Sequence, residues 1–214
     1  TQDNGSWLSP AEADKNSSWV DAPSGDGFEC AWHYENPSLI LETSQRNNLF
    51  KSYDEGESWV NIDLPESGGP FLTRLASSQL NPDLIFMVSD SGLLRSSDFA
   101  ETWEVIDMPE SWDFNSSYGA PTAISLADPT VVWSGSRLSE DSRICFSTDA
   151  GLSFEPASNL NDSNLGLLTG ITTHPSDPNT AYALFSQKNS PKLLVTHDLG
   201  SSWEDLSGYY PAGI

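Results

Sequence analysis

The sequence has few of the residues that build disulfide frameworks or nucleic-acid sites. Only two cysteines, Cys30 and Cys145, occur in 214 residues, too few for a disulfide framework. They fall in different predicted strands, so we expect both to be small buried apolar side chains. Lysine and arginine together number 9 against 31 aspartates and glutamates, a formal net charge of −22. This charge argues against nucleic acid and anionic membrane surfaces as partners, because both require a basic patch.

Long apolar runs and helical patterns are also missing. No run of about 18 apolar residues exists, so we expect no membrane insertion. No window longer than about ten residues follows the helical period of 3.6, which predicts an all-β chain. No Cys/His cluster suits zinc and no Gly-rich phosphate loop precedes a helix, so the prediction includes no cofactor and no metal.

The acidity itself leaves two interpretations open. It can serve solubility alone, as in secreted proteins of saline environments, or it can mark a specific cationic partner or bound Ca²⁺. No signal peptide is present, so any targeting segment has been removed or lies upstream. We expect an extracellular or cell-surface protein.

A repeated eight-residue turn dominates the sequence. It reads Ser-Tyr-Asp-Glu-Gly-Glu-Ser-Trp at residues 52–59 and recurs at 147–154 and 196–203. The copy at 96–103 has Ala100 at the glycine position, and a worn copy at 12–19 has Asn16 there. Asparagine also tolerates the left-handed conformation, so Asn16 is expected to adopt it.

Each residue type in the turn has a physical purpose. Aspartate accepts hydrogen bonds from backbone N–H groups, glycine supplies a positive φ, and the aromatic ring packs into the layer below. We therefore predict structural rather than catalytic roles for these side chains. They are Asp14, Asp54, Gly56, Trp59, Asp98, Trp103, Asp149, Gly151, Phe154, Asp198, Gly200 and Trp203.

The spacing of the turns predicts the domain organisation. The aspartates lie 40, 44, 51 and 49 residues apart, close to the roughly 40–50-residue period of propeller blades. An Asn-Pro or Asp-Pro pair precedes the second predicted strand of each full repeat, where a turn tolerates proline. One propeller segment over residues 1–214 is predicted. Its parts are a partial blade at 1–22, blades at 23–63, 64–107, 108–157 and 158–208, and the start of a next element at 209–214.

The pattern Ser/Thr-x-Asp-x-Gly-x-Ser/Thr-Trp resembles the Asp-box, or BNR, repeat. It looks like the repeats of sialidases, sortilin-type receptors, xyloglucan-cleaving hydrolases and photosystem assembly propellers. The resemblance covers nearly the whole chain and implies a β-propeller of four-stranded antiparallel blades. The phrase Gln2-Asp3-Asn4-Gly5 followed by Trp7 looks like a segment of sortilin-like bacterial propellers that links the second and third strands of a blade.

About four full blades plus a partial one are therefore expected. We interpret the chain as a segment of a larger propeller that another segment or another chain completes. A closed four-bladed propeller is the alternative.

The resemblance also implies where ligands bind. In such propellers the repeated turns lie on the face opposite the ligand site. On the other face, Asp26 lies in a Gly-Asp-Gly turn, and the loop 107–121 carries Trp112, Asp113 and Tyr118. Aromatic rings beside carboxylates are typical of sugar-binding surfaces. The alternatives are a plain Gly-rich turn for Asp26 and a loop that caps the propeller with its own aromatics.

Two functions remain open from the sequence. The first is a non-catalytic secreted or cell-surface module that binds protein or carbohydrate. The alternative is part of a glycoside hydrolase, xyloglucanase-like or sialidase-like, whose catalytic carboxylates are partly outside this chain. A sialidase needs three arginines for the substrate carboxylate, and Arg46, Arg74, Arg95, Arg137 and Arg143 are available, although Arg95 is badly placed on the strand that enters a repeated turn. The Phe/Tyr-Arg-Ile-Pro motif of that family is absent, and no catalytic residue is predicted.

Overall fold

The computed structural model describes residues 3–23, 25–109, 120–135, 144–160, 165–186 and 192–209. Within these ranges every element is a β-strand except two short 3₁₀ turns, Gln45–Asn47 and Ser207–Tyr209. Among the same residues no helix has the length or apolarity to cross a bilayer. The predicted all-β class is confirmed.

The strands form one two-stranded sheet and four four-stranded sheets, all antiparallel and each in sequence order. We call the first the half-sheet and the others blades one to four. The half-sheet consists of β1 (Trp7–Leu8) and β2 (Val20–Asp21). Blade one contains β3 (Cys30–Trp32), β4 (Ile40–Thr43), β5 (Leu49–Ser52) and β6 (Val60–Ile62). Blade two contains β7 (Leu75–Ser77), β8 (Ile85–Val88), β9 (Gly92–Ser96) and β10 (Glu104–Asp107). Blade three contains β11 (Thr122–Ile124), β12 (Val132–Gly135), β13 (Ile144–Ser147) and β14 (Glu155–Pro156). Blade four contains β15 (Leu167–Thr173), β16 (Ala181–Ser186), β17 (Lys192–Thr196) and β18 (Glu204–Asp205).

Strand direction divides the connections between two edges. Because neighbouring strands are antiparallel, the turns after the first and third strands of each blade share one edge, which we call the turn edge. The connections after the second strand, and those between blades, share the opposite loop edge. The repeated turns all follow a third strand, so they lie at the turn edge.

Hydrogen bonds within the turn of blade one show how the repeat closes. Ser52 Oγ donates to Asp54 Oδ1 at 2.9 Å and accepts the N–H of Gly56 at 2.8 Å. The N–H of Ser58 donates to Asp54 Oδ1 at 2.8 Å. Glu55 and Gly56 both have positive φ, 62° and 90°. The sequence predicted a left-handed residue at the glycine position, and the structure adds a second one before it.

The same arrangement recurs in the other three blades. Its anchors are the pairs Ser96–Asp98, Ser147–Asp149 and Thr196–Asp198. In blade two Ala100 adopts φ 68° in the glycine position. An alanine therefore adopts the left-handed backbone conformation here, because the surrounding turn holds it there.

The worn copy in the half-sheet closes differently. Asp14 Oδ1 accepts the N–H of Asn16 at 2.8 Å and the hydroxyl of Ser17 at 3.1 Å. The bonded serine is three residues after the aspartate instead of four, which gives a shorter turn. Asn16 is not among the residues with positive φ, so the expectation of a left-handed Asn16 is wrong.

Three apolar clusters fill the spaces between neighbouring blades. Leu41, Ile85 and Ala100 belong to the cluster between blades one and two. Phe86 and Val132 belong to the next one, and Trp133 and Ala183 to the last. The second strands of blades two and three therefore contribute side chains to a cluster on each of their faces, which explains why β8 and β12 are buried throughout.

The two cysteines differ in burial. Neither forms a disulfide with the other; Cys145 is buried and Cys30 is exposed. The expectation of a buried Cys30 is wrong, because Cys30 lies on the first strand of blade one, and the half-sheet before it offers no first or second strand to cover it. Its thiol is still partly desolvated, and this, with the charges of Glu42 and Glu29, raises the pKa of Cys30.

Candidate ligand-binding cleft

Three chain segments meet at the loop edge beside the half-sheet. Asp26 joins them, because its Oδ1 accepts the N–H of Asp3 at 2.7 Å and its own N–H donates to Gln45 Oε1 at 2.8 Å. Asp3 precedes β1, Asp26 lies between the half-sheet and blade one, and Gln45 lies between β4 and β5. The sequence predicted Asp26 as a ligand-binding candidate. In the structure its carboxylate anchors the segment before β1 through the N–H of Asp3.

Glycine allows these segments to approach so closely. A Cβ atom on Gly27 would lie 2.2 Å from Ser6 Oγ and 2.7 Å from the carbonyl oxygen of Gly5. A Cβ on Gly25 would lie 2.4 Å from Gln45 Oε1. Any side chain at either position would push the segments apart. The Gly-Asp-Gly turn is therefore a packing device as well as the carrier of Asp26.

A cleft of about 460 Å³ opens between these segments. Its lining is polar and acidic apart from one aromatic ring. The residues are Asp3, Asn4, Gly5, Trp7, Asp21, Gly25 and Asp26.

Trp7 supplies the aromatic surface. Its side chain is 55% exposed, and its indole N–H donates to the carbonyl oxygen of Asn4 at 2.6 Å. The hydrogen bond fixes the ring orientation without burying the ring. An exposed, pre-oriented ring beside carboxylates and an amide matches the chemistry of a sugar, which offers a C–H face and hydroxyls.

Metal binding has less support at this position. Among the described residues no group of three His, Cys, Asp or Glu side chains is arranged to hold a metal ion. Asp3, Asp21 and Asp26 therefore line the cleft without converging on one point.

The other predicted ligand residues lie elsewhere. Trp112, Asp113 and Tyr118 fall outside the described residues. The aspartates of the repeated turns lie at the turn edge, so they are not part of the cleft. Hydrogen bonds from Ser58 and Ser202 lower the pKa of Asp54 and Asp198 respectively.

A second cavity of about 260 Å³ contains two carboxylates that sequence reasoning missed. Glu42 is 2% exposed; its Oε1 accepts the hydroxyl of Ser6 at 2.5 Å, and Oε2 has no partner among the described residues. Glu29 accepts the N–H of Leu75 at 2.6 Å. Burial raises the pKa of both glutamates, against the hydrogen bonds that they accept.

A signal for Glu42 was present in the sequence. It interrupts the apolar run Leu39–Thr43, in a strand whose counterparts carry Met87 and Ser134 at the equivalent register position. A charge in the middle of a buried strand is rare enough to single out.

Comparison with known proteins identifies the fold only. No family model matches the sequence, and no curated protein matches it. Among solved structures, an ancestral GH74 enzyme is similar with a TM-score of 0.68 and 16% identity, over 89% of this chain and 27% of that one. The GH74 xyloglucanase of Xanthomonas campestris has a TM-score of 0.65 and 17% identity, over 86% of this chain and 31% of that one.

A structure of a different kind is also similar. A chain of the nidogen/laminin complex matches with a TM-score of 0.57 and 12% identity, over 89% of this chain and 68% of that one. The chain spans about a quarter to a third of the GH74 enzymes that it resembles. At these identities the similarity establishes a partial β-propeller and leaves the function open.

Proposed function

We propose that this chain is a non-catalytic binding module that recognises carbohydrate at the loop edge. The observation that carries the proposal is the Trp7 ring, exposed yet fixed by the carbonyl oxygen of Asn4 beside three carboxylates. A fixed ring stacks on a pyranose face with little loss of side-chain entropy. Carboxylate and amide oxygens accept hydrogen bonds from the sugar hydroxyls.

Charge narrows the class of glycan. The cleft carries Asp3, Asp21 and Asp26 on a chain of formal net charge −22. Like charges in a cleft repel an anionic ligand. The expected ligand is therefore a neutral, hydroxyl-rich glycan, and sialylated or sulfated glycans should bind poorly.

A hydrolytic role has two observations in its favour and one against it. Raised pKa values at Glu29 and Glu42 are what a general acid needs. The xyloglucanase and the other GH74 enzymes among the similar structures fit the same idea, with a second carboxylate outside this chain. Glu42, however, is buried and already bonded to Ser6, so a glycosidic oxygen does not reach it. We therefore keep hydrolysis as the second candidate.

The proposal places the module outside the cell, at a surface where neutral polysaccharides occur. It also takes the repeated turns as Asp-box turns with a structural role, on the sequence pattern alone. Secretion is tested by following the protein in fractions of its native host.

Titration with neutral oligosaccharides tests the proposal. Xyloglucan and β-glucan oligosaccharides come first because a xyloglucanase is among the similar structures. Trp7→Thr should weaken binding by about tenfold or more because the stacking surface is lost. Leu152→Ala is the control, since Leu152 is equally exposed but lies in a repeated turn at the opposite edge.

Two results would contradict the proposal. Equal affinity of wild type and Trp7→Thr would remove the cleft as the binding site. Release of reducing ends by wild type, abolished in Glu42→Gln, would replace the binding module with the hydrolase.

A further inference from the structure

Charge is distributed unequally between the two edges of the four blades. Eight turns of seven residues form the turn edge, at 33–39, 53–59, 78–84, 97–103, 125–131, 148–154, 174–180 and 197–203. They contain eleven aspartates and glutamates and no lysine or arginine. Arg46, Arg74 and Lys192 all lie at the loop edge. The described part of the loop edge therefore carries both signs of charge, whereas no lysine or arginine belongs to the turn edge.

The two buried cations of the blades offset little of this charge. Lys51 pairs with Glu101, which is one of the eleven turn-edge carboxylates. Arg95 pairs with Glu104, which lies on β10 and not in a turn. The other ten carboxylates of the turn edge have no lysine or arginine partner among the described residues.

Hydrogen bonds hold several of these carboxylates ionised and in place. The N–H and the hydroxyl of Thr130 donate to Asp128 Oδ1 at 2.9 Å and 2.7 Å and lower the pKa of Asp128. The hydroxyl of Thr180 donates to Asp177 Oδ2 at 2.6 Å and lowers the pKa of Asp177. A carboxylate fixed in this way stays charged at neutral and mildly acidic pH, and its position is set before a partner binds.

Large apolar side chains are exposed at the same edge. Tyr34, Tyr53, Leu80, Leu126 and Leu152 lie in the turns of blades one, two and three, and each is between 46% and 58% exposed. In the described loop-edge connections of the four blades no large apolar side chain is exposed to this extent. Single exposed apolar residues are normal on a protein surface. Their grouping at one edge, among carboxylates, marks that edge as an interaction surface.

The turn does not need the two of these residues that lie in its repeated copies. Tyr53 and Leu152 occupy variable positions of the repeat, and the hydrogen bonds that close each turn come from its serine, threonine and aspartate side chains. The other copies carry polar residues at the same two positions. These are Ser97, Thr148 and His197 for Tyr53, and Glu57, Glu101 and Ser201 for Leu152.

We infer that the turn edge of blades one to three docks a basic polypeptide segment in which arginine or lysine side chains alternate with apolar ones. Its cationic groups face the turn carboxylates, and its apolar side chains cover Leu80, Leu126 and Leu152. An arginine also stacks on the exposed ring of Tyr34. Lys51 already makes such a contact within the chain, with Nζ 4.9 Å from the ring centroid of Tyr53.

Other occupants fit this edge less well. A second copy of the chain carries a formal net charge of −22 and the same acidic turns, so it is repelled. Nucleic acids and anionic lipids are repelled for the same reason. A bare metal ion leaves the apolar side chains uncovered, and among the described residues no group of three His, Cys, Asp or Glu side chains is arranged to hold one. A basic polypeptide with apolar side chains matches both features of the surface.

A short fluorescein-labelled peptide of alternating arginine and leucine is the probe that tests this inference. Fluorescence anisotropy follows its binding at about 0.15 M salt, where exposed charges more than about 8 Å apart are largely screened. One control peptide alternates arginine with serine, and another alternates glutamate with leucine. The arginine–leucine peptide should bind at least about tenfold more tightly than either control, because it alone supplies both charge and apolar area.

Two double variants remove the same charge at opposite edges. Glu55→Gln with Glu57→Gln acts at the turn edge, and Asp63→Asn with Asp90→Asn acts at the loop edge; all four side chains are exposed. A four-residue strand separates the edges by about 13 Å, so screening confines each effect to its own edge. The turn-edge variant should weaken peptide binding at least about threefold, and the loop-edge variant by less than about 1.5-fold.

A third double variant removes apolar surface without changing charge. Leu126→Ser with Leu152→Ser should weaken binding of the arginine–leucine peptide at least about fivefold. Leu184→Ser is the control, since Leu184 is 45% exposed but lies on β16 of blade four, away from the turns. Neither variant touches the cleft of Trp7, so the affinity for neutral oligosaccharides should not change in either.

Nuclear magnetic resonance locates the peptide without any variant. A nitroxide attached to the arginine–leucine peptide broadens the amide signals of the residues near it. Gly56 and Gly151 lie in turns of blades one and three, whereas Gly68 and Gly92 lie at the loop edge. The amide signals of Gly56 and Gly151 should lose intensity and those of Gly68 and Gly92 should keep it, with ascorbate reduction of the nitroxide as the reference.

Three outcomes would overturn the inference. The first is equal affinity for the arginine–leucine and arginine–serine peptides, because charge alone would then explain binding. The second is equal weakening by the turn-edge and loop-edge charge variants, which would assign binding to the overall acidity of the chain. The third is broadening of Gly68 and Gly92 in place of Gly56 and Gly151, which would put the peptide at the opposite edge.

Discussion

The interface between blades one and two and the interface between blades two and three use the same backbone with different side-chain volumes. At the first, the repeated turn of blade two presents Ala100, and Leu41 lies in the same cluster. At the second, the turn of blade three presents Gly151, and Phe86 fills the space: a Cβ atom on Gly151 would lie 2.3 Å from Phe86 Cζ. Leu41 and Phe86 occupy the same register position of their second strands. The comparison indicates that the size of the neighbouring side chain determines whether the turn carries glycine or alanine, as much as the positive φ of the position does.

The third interface extends the series. Gly200 of blade four faces Trp133 at the same register position of blade three, and a Cβ there would lie 3.4 Å from Trp133 and 2.8 Å from Ala157 Cβ. At these three interfaces a glycine accompanies each aromatic neighbour, and the alanine accompanies the leucine. Beside the half-sheet, however, a glycine accompanies a leucine, since a Cβ atom on Gly56 would lie 2.5 Å from Leu8 Cδ2. The ring itself occupies the space of a Cβ atom at Gly151, whereas at Gly200 the tight contact is with Ala157.

Each of the first two interfaces contains one buried cationic side chain that donates hydrogen bonds to the next blade. Lys51, three residues before the turn aspartate of blade one, donates to the carbonyl oxygen of Phe99 at 2.5 Å and to Glu101 at 2.7 Å. Arg95, at the same position in blade two, donates from Nε to the carbonyl oxygen of Ala150 at 2.8 Å and from Nη1 to Glu104. At the third interface Phe146 takes this position and packs on Trp133, 5.5 Å between ring centroids.

The largest expected effect follows from adding a methyl group at the tighter interface. Gly151→Ala puts an alanine at φ +80° against the Phe86 ring. Left-handed strain and overpacking together should cost about 2–4 kcal/mol of unfolding free energy. Urea denaturation followed by tryptophan fluorescence measures it. A cost below that of an ordinary surface substitution would mean that Phe86 moves aside freely.

Removing a buried cation should have the next largest effect. Lys51→Met leaves the carbonyl oxygen of Phe99 without its donor, while half-exposed Glu101 stays solvated. The expected loss is about 1–3 kcal/mol for the unpaired buried acceptor. Arg95→Met is the matched variant at the next interface and should lose a similar amount. Unchanged urea midpoints in both variants would show that the bridges contribute nothing.

Ala100→Gly gives the interface between blades one and two the same turn residue as the other two interfaces, and it should change the unfolding free energy little. Glycine relieves the strain of φ 68°, but it also increases the entropy of the unfolded chain and deletes a buried methyl group next to Leu41. These effects oppose each other, so we expect a change within about 1 kcal/mol in either direction. A loss as large as that of Gly151→Ala would contradict the size match between the two interfaces.

The smallest effect concerns pH. Desolvation opposes ionisation of Asp149, but hydrogen bonds from Ser153, Ser147 and Leu152 outweigh it and lower the pKa to about 2. The folded pKa is below the ordinary value of 3.8, so the carboxylate stabilises the fold above about pH 4, and this contribution is lost as pH falls through about 2. In Asp149→Asn, the thermal unfolding midpoint should therefore depend less on pH between about 4 and 2 than it does in wild type.

Asp14→Asn in the worn turn is the comparison. Its carboxylate holds the shorter turn of the half-sheet, whose loss affects no blade interface. Its pH profile should therefore follow that of wild type more closely than the profile of Asp149→Asn. Identical profiles for Asp149→Asn and wild type between pH 2 and 4 would contradict the role of Asp149.

Local chemistry explains what the sequence predicted. The Asp-x-Gly turns, the Asn-Pro and Asp-Pro pairs and the alternating strands report short-range constraints, so they were sufficient to predict an all-β partial propeller. Asp26 was singled out because a Gly-Asp-Gly turn is visible in a single segment, and its ligand-binding role stays a prediction. The sequence also predicted a partial blade at residues 1–22, where the structure has the two strands β1 and β2.

Long-range packing explains what the sequence did not reveal. In the sequence, Trp7 looked like one strand residue among others. Its proposed role in ligand binding depends on Asn4, Asp21 and Asp26, which the fold brings together with it. The burial of Cys30 was predicted from its position in a strand, whereas its exposure depends on a neighbouring sheet that has two strands. The match of Ala100 to Leu41 requires the pairing register of two separate blades.

A double-mutant cycle between Gly151→Ala and Phe86→Leu tests the central claim most directly. If the ring sets the glycine, Phe86→Leu makes room for the methyl group, and Gly151→Ala should cost at least about 1 kcal/mol less in that background. The urea midpoints of wild type, both single variants and the double variant give the coupling free energy. If the costs of the two substitutions add to within about 0.5 kcal/mol, the claim is contradicted. The positive φ of residue 151 would then be the sole reason for glycine at this position.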